Sequence, residues 1–309
     1  MKQYLVLDIG GTFIKYALMG EDGSFLENGK VPSPMDSLES LLDAVAAVGE
    51  KFRGRYEGAA VSMPGRIDTR TGVAHTGGAF DFIQDTPAGQ LFAGRLGCPV
   101  TVANDAKCAA NAEAWTGALA GTANGAVLVL GTGTGGGIVL NHRIWMGRTF
   151  AAGELSFLPV RFDKTGKTIM NDVRSDGSDW MWAQYASTTG LLRAYARRKG
   201  IPVEGLDGLQ FFAAYDAGEP EAAEALAFFG EMTAAGIYAV QSVLDLEKYA
   251  IGGGISARPE VTGIIRAKLD EIYAAVPFTA FGKPEIVRCR YGNDANLIGA
   301  LRFALHGID

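Results

Sequence analysis

Three glycine-rich turns, with three acids close to them, are the parts of this chain best suited to chemistry. Tyr4–Thr12 reads YLVLDIGGT and Ala126–Gly137 reads AVLVLGTGTGGG, each an apolar run ending in glycine, and Ile251–Ser256 repeats the device as IGGGIS. Glycine lets successive backbone N–H groups converge and lets a ligand approach the main chain. Concave N–H arrays of that kind bind anions, phosphates above all. Two of them half a chain apart imply a ligand with several phosphates, gripped from two sides. Asp8 stands beside Gly10, Gly11 and Thr12. A carboxylate repels phosphate unless a divalent cation or its water shell intervenes, so Asp8 is a candidate Mg²⁺ ligand, directly or through water. Thr12 adds a hydroxyl, and Lys15 either counters the charge or is a solvated strand residue.

Gly131, Thr132 and Gly133 open the second turn, and a flexible surface loop seldom follows a fully buried strand such as AVLVL. Close approach of a ligand explains that turn better. Gly252, Gly253 and Gly254 fit either close packing of a helix on a sheet or a wall for a flat base such as adenine. Asp105, preceded by Asn104, falls where a strand enters a helix. It is either an N-cap or a base that takes the proton of an acceptor hydroxyl in phosphoryl transfer. Glu154 follows Gly153 just past the second turn, as a further acid of the site or a solvated loop residue.

The elements that must hold these residues follow from periodicity. Strands are expected at Tyr4–Asp8, Phe13–Met19 and Phe25–Val31, with a hairpin turn at Glu21–Gly23. Apolar residues at Leu38, Leu41, Leu42, Val45 and Val48 predict a helix to Phe52, capped by Ser37. Gly58–Met63 reads as a buried strand, Pro87–Leu96 as helix, Val100–Ala103 as strand and Ala106–Gly117 as a small-residue helix. Strands at Ala126–Leu130, Gly137–Leu140 and Arg143–Met146 follow, with a turn at Asn141–His142. Helices are expected at Ser178–Arg198, Phe211–Ala217, Ala222–Leu244, Val261–Tyr273 and Asn296–Leu305, and strands at Tyr249–Ile251 and Glu285–Arg288. Each half repeats strand, glycine turn, strand, strand, then helices and more strands. That echo predicts an α/β protein of two domains with a cleft between them: a smaller one at 1–116, rejoined by the final helix at 294–309, and a larger one at 117–293.

Composition narrows the partners. With 309 residues, 48% hydrophobic and 20% charged, the chain is globular. A net charge of −6 without a basic run argues against nucleic acid and anionic membranes. No apolar run approaches a membrane span and the first ten residues lack a signal peptide's zones, so a cytoplasmic protein is expected. Three scattered cysteines and three histidines make neither a disulfide framework nor a metal-ligand spacing, and no zinc site is expected.

Taken in order, Leu7–Thr12, Ser62–Gly65, Asn104–Ala106, Gly131–Gly133, Gly153–Glu154, Gly252–Gly254 and Gly292–Ala295 resemble the ROK family of sugar kinases, within the actin-like (ribonuclease H-like) ATPase fold. The resemblance covers nearly the whole chain. It implies that the first two glycine turns hold ATP phosphates and the third borders adenosine. It also implies that Asp105 is the catalytic base toward a sugar hydroxyl, usually on C6. Gly65, Asn104, Asp105 and Glu154 would line the sugar, the loop at Gly77–Gly78–Ala79 would close one side, and the chain would form homodimers. Two departures stand out. The family's Gly-Glu-x-Gly-His is here Gly153-Glu154-Leu155-Ser156-Phe157, and the cysteine-rich zinc segment is replaced around Arg174–Tyr185. Phe157, Trp180 and Trp182 then form either an apolar wall beside the sugar or core filler in place of zinc. The expected activity is ATP- and Mg²⁺-dependent phosphorylation of a hexose or hexoside, with a β-glucoside or glucose ahead of fructose and N-acetylmannosamine. A catalytically silent sugar-binding regulator is the alternative of another class. A DNA-binding repressor is disfavoured by the charge and by the phosphate turn's start at Asp8.

Overall fold

The structure, a computed structural model, describes residues 1–160, 180–276, 278 and 280–308. In chain order its elements are β1 (Gln3–Ile9), β2 (Phe13–Gly20), β3 (Phe25–Pro32), α1 (Leu38–Lys51), β4 (Gly58–Met63), β5 (Ile67–Asp68), β6 (Val73–Thr76), β7 (Gln84–Thr86), α2 (Ala88–Leu96), β8 (Val100–Asn104) and α3 (Asp105–Thr116). Then come β9 (Gly125–Leu130), β10 (Thr134–Leu140), β11 (Arg143–Ile144), α4 (Thr188–Lys199), α5 (Gly208–Asp216), α6 (Pro220–Leu244), β12 (Lys248–Gly252), α7 (Pro259–Ala275), β13 (Glu285–Arg288) and α8 (Ala295–His306). The chain divides into two compact units. The first holds Met1–Ala123, Gly137–Gly153 and Asn293–Asp309, and the second Asn124–Gly136 and Glu154–Gly292. Residues 117–123 and 137–153 thus group with the first unit, whereas the sequence expectation put 117–293 in the larger domain.

The first unit is built on a sheet of order β3-β2-β1-β4-β8, the β1–β2 and β2–β3 pairs antiparallel and the β1–β4 and β4–β8 pairs parallel. The uninterrupted apolar run of β1 is explained by burial on both faces. Leu5, Leu7 and Ile9 join Leu41, Val45 and Phe92 in one core cluster, while Asp8 points the other way, to Asn296 of α8. Fully buried side chains of this size each stabilise the fold by about 1.5–3 kcal/mol. Ser37 caps α1 as expected, its hydroxyl accepting from the Ser40 amide. Helices α3 and α8 meet where Gly299 lies so close to the Cys108 carbonyl that a Cβ would sit 1.7 Å from that oxygen.

The order β11-β10-β9-β12-β13 repeats the same scheme, and β12 runs parallel to both β9 and β13. Three local readings are corrected. The helix expected from Ser178 begins only at Thr188, because Ser187 caps it by accepting from the Gly190 amide, and a 3₁₀ turn at Trp182–Gln184 precedes it. Strand β10 starts at Thr134 rather than Gly137, since the Thr134 hydroxyl donates to the Ala186 carbonyl and fixes that residue in the sheet margin. The small sheet β5-β6-β7 was missed, its strands being two to four residues long and held by pairs such as Ile67–Ala74 and Thr76–Gln84.

Candidate active site

Strand register gathers the candidate residues of the first unit. Asp8 pairs across from Ser62, and Met63 across from Asn104. The carboxyl ends of β1, β4 and β8 therefore release two loops, at Gly10–Thr12 and Pro64–Arg66, and the start of α3 at Asp105 side by side. Ligands of open α/β sheets bind at that edge.

Asp8 is 6% exposed. Its Oδ1 accepts from the Ser62 hydroxyl at 2.9 Å and from Asn296 Nδ2 at 3.0 Å. Its Oδ2 faces Lys15 Nζ at 3.6 Å, and the same ammonium approaches the Asn293 carbonyl at 3.5 Å. Lys15 is thus the charge partner of Asp8, not a detached strand residue. The turn after β1 closes through the Gly10 amide donating to the Phe13 carbonyl at 3.1 Å, leaving Gly11 and Thr12 exposed.

Asp105 is the first residue of α3, and the cap is Asn104, whose Oδ1 accepts from the Lys107 amide at 3.1 Å. The capping alternative for Asp105 falls away. Its Oδ1 accepts from the Ala106 amide at 2.8 Å and from Asn104 Nδ2 at 3.0 Å, and that Nδ2 also donates to the Gly65 carbonyl at 2.9 Å. The half-buried carboxylate is thereby aimed by the amide that also ties down the Pro64–Gly65 turn. That turn has its own demands. Gly65 has φ +102° and a Cβ there would lie 2.0 Å from the Thr76 carbonyl oxygen; one on Gly78, φ +62°, would lie 2.8 Å from the Pro64 ring. The expected sugar residues Gly65, Gly78, Asn104 and Asp105 thus form one connected patch. Beneath it lies the Cys108 thiol, which burial, with the Asp8 and Asp105 carboxylates adding to it, pushes well above its ordinary value.

In the second unit, β9 and β12 are paired with Gly252 across from Val129, so the second and third glycine turns emerge together. Gly253 has φ +90° and a Cβ would meet the Leu130 carbonyl oxygen at 2.3 Å, so packing alone requires glycine there. Gly133 and Gly254 differ: a Cβ on either would meet nothing within 4 Å, and one on Gly131 only the Gly133 oxygen at 3.8 Å. None of these three has positive φ. Neither packing nor backbone conformation requires glycine at those three positions. Thr132 is exposed beside them. Past the third turn, Arg258 leads into α7, bound to Asp216 of α5 at 2.6 Å and to Glu260 at 3.1 Å. Glu154 is half-buried and begins a 3₁₀ turn at Leu155–Phe157, which the Ser156 hydroxyl ties to the Thr134 carbonyl.

Of the aromatic trio, Trp182 is core: it is fully buried and its Nε1 donates to the Met232 carbonyl at 2.9 Å, with Gly236 making room for the ring. Phe157 is 60% exposed. Half of the Arg174–Tyr185 replacement, residues 174–179, lies outside the described residues. Among the described residues no group of three or more His, Cys, Asp or Glu can hold a metal. Ser62 and Asn296 escaped the sequence reading as site residues. Ser62 belongs to the Ser62–Gly65 motif, but nothing local marks Asn296 as the partner of a residue 288 positions away.

Comparison with known proteins gives one consistent answer. The ROK family profile matches residues 4–306. A β-glucoside kinase of Klebsiella pneumoniae is 33% identical over 300 residues, covering 95% of this chain and 93% of that protein. A glucokinase of Streptomyces coelicolor is 29% identical, covering 96% of each. Among solved structures, a ROK family glucokinase of Streptomyces griseus in complex with glucose and AMPPNP superposes with a TM-score of 0.82 at 26% identity, covering 97% of this chain and 98% of that one. The fold is accordingly that of the actin-like two-domain ATPases.

Proposed function

This chain belongs to the ROK family, and on that premise we propose that it is an ATP:sugar phosphotransferase acting on the 6-hydroxyl of a hexose or hexoside, a β-glucoside or glucose first. The β-glucoside kinase likeness favours a substituted C1, and the family's Gly-Glu-x-Gly-His is replaced at Phe157. Fructose and N-acetylmannosamine are the runners-up.

The observation that carries the reading is Asp105: a half-buried carboxylate at a sheet's carboxyl edge, aimed by Asn104 and not spent on capping. Its role is to take the hydroxyl proton as the sugar oxygen attacks the γ-phosphorus, so that the new O–P bond forms while the bond to ADP breaks. Asn104, Gly65, Gly78 and Glu154 position the sugar. The turns at Gly10–Thr12 and Gly131–Gly133 hold phosphate oxygens on backbone N–H groups, and Gly252–Gly254 borders the base.

Asp8 suits Mg²⁺. The cation characteristically takes one or two carboxylates, with waters and substrate phosphates completing the shell. When bound it neutralises charge on the phosphates, and Asp8 holds it directly or through water. Lys15 is the cation already beside that carboxylate. No helix of the described residues is long and apolar enough to cross a membrane, and we place the protein in the cytoplasm as a homodimer.

The test is ADP release coupled to a panel of hexoses and β-glucosides. Sugar-dependent release with glucose or a β-glucoside, but none with its 6-deoxy analogue, is expected. Sugar binding without any release would instead favour the silent regulator.

A further inference from the structure

Within the first unit, the β10–β11 hairpin and the loop after it border a groove of about 890 Å³. Three arginines line it, Arg70, Arg143 and Arg148, together with Trp145, Met146 and Ile308. No acidic residue lines it, although the chain as a whole carries a net charge of −6. The arginines elsewhere show how this surface ordinarily treats such groups. Arg95 bridges Glu39 and Asp43, and Arg258 bridges Asp216 and Glu260. The side chains of Arg143 and Arg148, both outside the buried core, make no ion pair or hydrogen bond among the described residues.

An indole stands among these cations. Trp145 is 52% exposed, while its neighbours Ile144 and Met146 are 7% exposed and form the floor. The backbone framing the groove is unusual as well. Asn141 and His142 have φ +52° and +65°, as a tight hairpin turn requires, but Phe150 at φ +61° is a bulky side chain in left-handed backbone. Such strain gathers at ligand clamps and switch segments. The Phe150 ring lies 5.9 Å from the Arg70 guanidinium, and the Ala152 amide donates to the Met146 carbonyl at 3.2 Å, closing the loop. The two residues that follow Ala152 are Gly153 and Glu154.

We propose that this groove is a binding site for a phosphate monoester carried on a sugar ring. Guanidinium forks match the oxygens of a phosphate dianion bidentately. An indole face suits the C–H face of a sugar ring, and the volume lies within the range of small-molecule sites. The site stands apart from the catalytic reading, because binding is measured at equilibrium. Where that reading also holds, the ligand is the enzyme's own product, bound at a loop that leads into Glu154.

The experiment titrates glucose 6-phosphate into the full chain held at saturating glucose and AMPPNP, with equilibrium dialysis and tryptophan fluorescence as readouts. Saturable binding is expected, with a fluorescence change that disappears in Trp145→Phe. The Arg143→Gln/Arg148→Gln double variant, checked for folding by its thermal melt, should bind at least about tenfold more weakly, since the charge-assisted bonds to phosphate are lost. Arg143→Lys, which keeps the charge and loses the fork, should fall between the two and serves if the double variant melts early. The proposal is overturned if glucose with AMPPNP abolishes binding, if affinity is unchanged in the arginine variants, or if inorganic phosphate binds as tightly as the sugar phosphate.

Discussion

Two carboxylates, Asp8 and Asp105, sit at the carboxyl ends of β1 and β8, parallel strands on either side of β4, and their hydrogen bonds separate their tasks. Asp105 is aimed by Asn104 and the Ala106 amide. Replacing it by Asn should preserve nucleotide and sugar binding, read by calorimetry, while kcat falls about 10²–10⁴-fold, the usual contribution of a positioned base. Normal turnover in that variant would remove Asp105 from the role. Asp8 instead has one oxygen committed to Ser62 and Asn296. Cutting Asn296 to Ala leaves that buried acceptor short of a donor, a loss of about 1–3 kcal/mol. The Mg²⁺ concentration for half-maximal rate should rise several-fold, and Mn²⁺ affinity measured by electron paramagnetic resonance should weaken in parallel. Cys108 offers a third test. Fully buried, with a thiol raised by that burial and by the two carboxylates, it should resist alkylation at pH 8 in the folded protein and react only as fast as the chain unfolds.

At the scale of elements, the glycines divide into two kinds. Gly65, Gly253 and Gly299 have backbone neighbours where a Cβ would go, whereas Gly133 and Gly254 have open space. Gly299→Ala should therefore push α8 off α3 and destabilise the fold by about 1–3 kcal/mol, the range for overpacking, seen as a lower midpoint in urea. Gly133→Ala should leave that midpoint nearly unchanged and weaken ATP binding. A similar loss of stability in both would mean that the second turn is glycine-rich for packing alone. Sequence alone left packing and ligand approach open for Gly252–Gly254, because one-letter identity carries neither φ nor the distance to the next backbone. The same blindness hid β5–β7, strands too short for an alternation to register, and stretched the helix before Thr188 backward over Trp182.

For the molecule as a whole, the two sheets carry one strand scheme, so a single solution to strand, glycine turn, strand is used twice. The acidic net charge keeps its consequence at this scale: duplex DNA should show no retardation by the protein in a gel shift at low salt. The strand-end acids, the glycine turns and the fold class were determined by the sequence itself, because buried strands need uninterrupted apolar runs and close-approach turns need glycine, both local requirements. Tertiary structure alone decided that Asn296 would reach Asp8, that Asn104 and not Asp105 would cap α3, that Trp182 would be core, and that Arg143 and Arg148 would share a groove with Trp145, without an ion pair among the described residues. Those outcomes depend on strand register and on helices returning from far along the chain, and a linear pattern encodes neither.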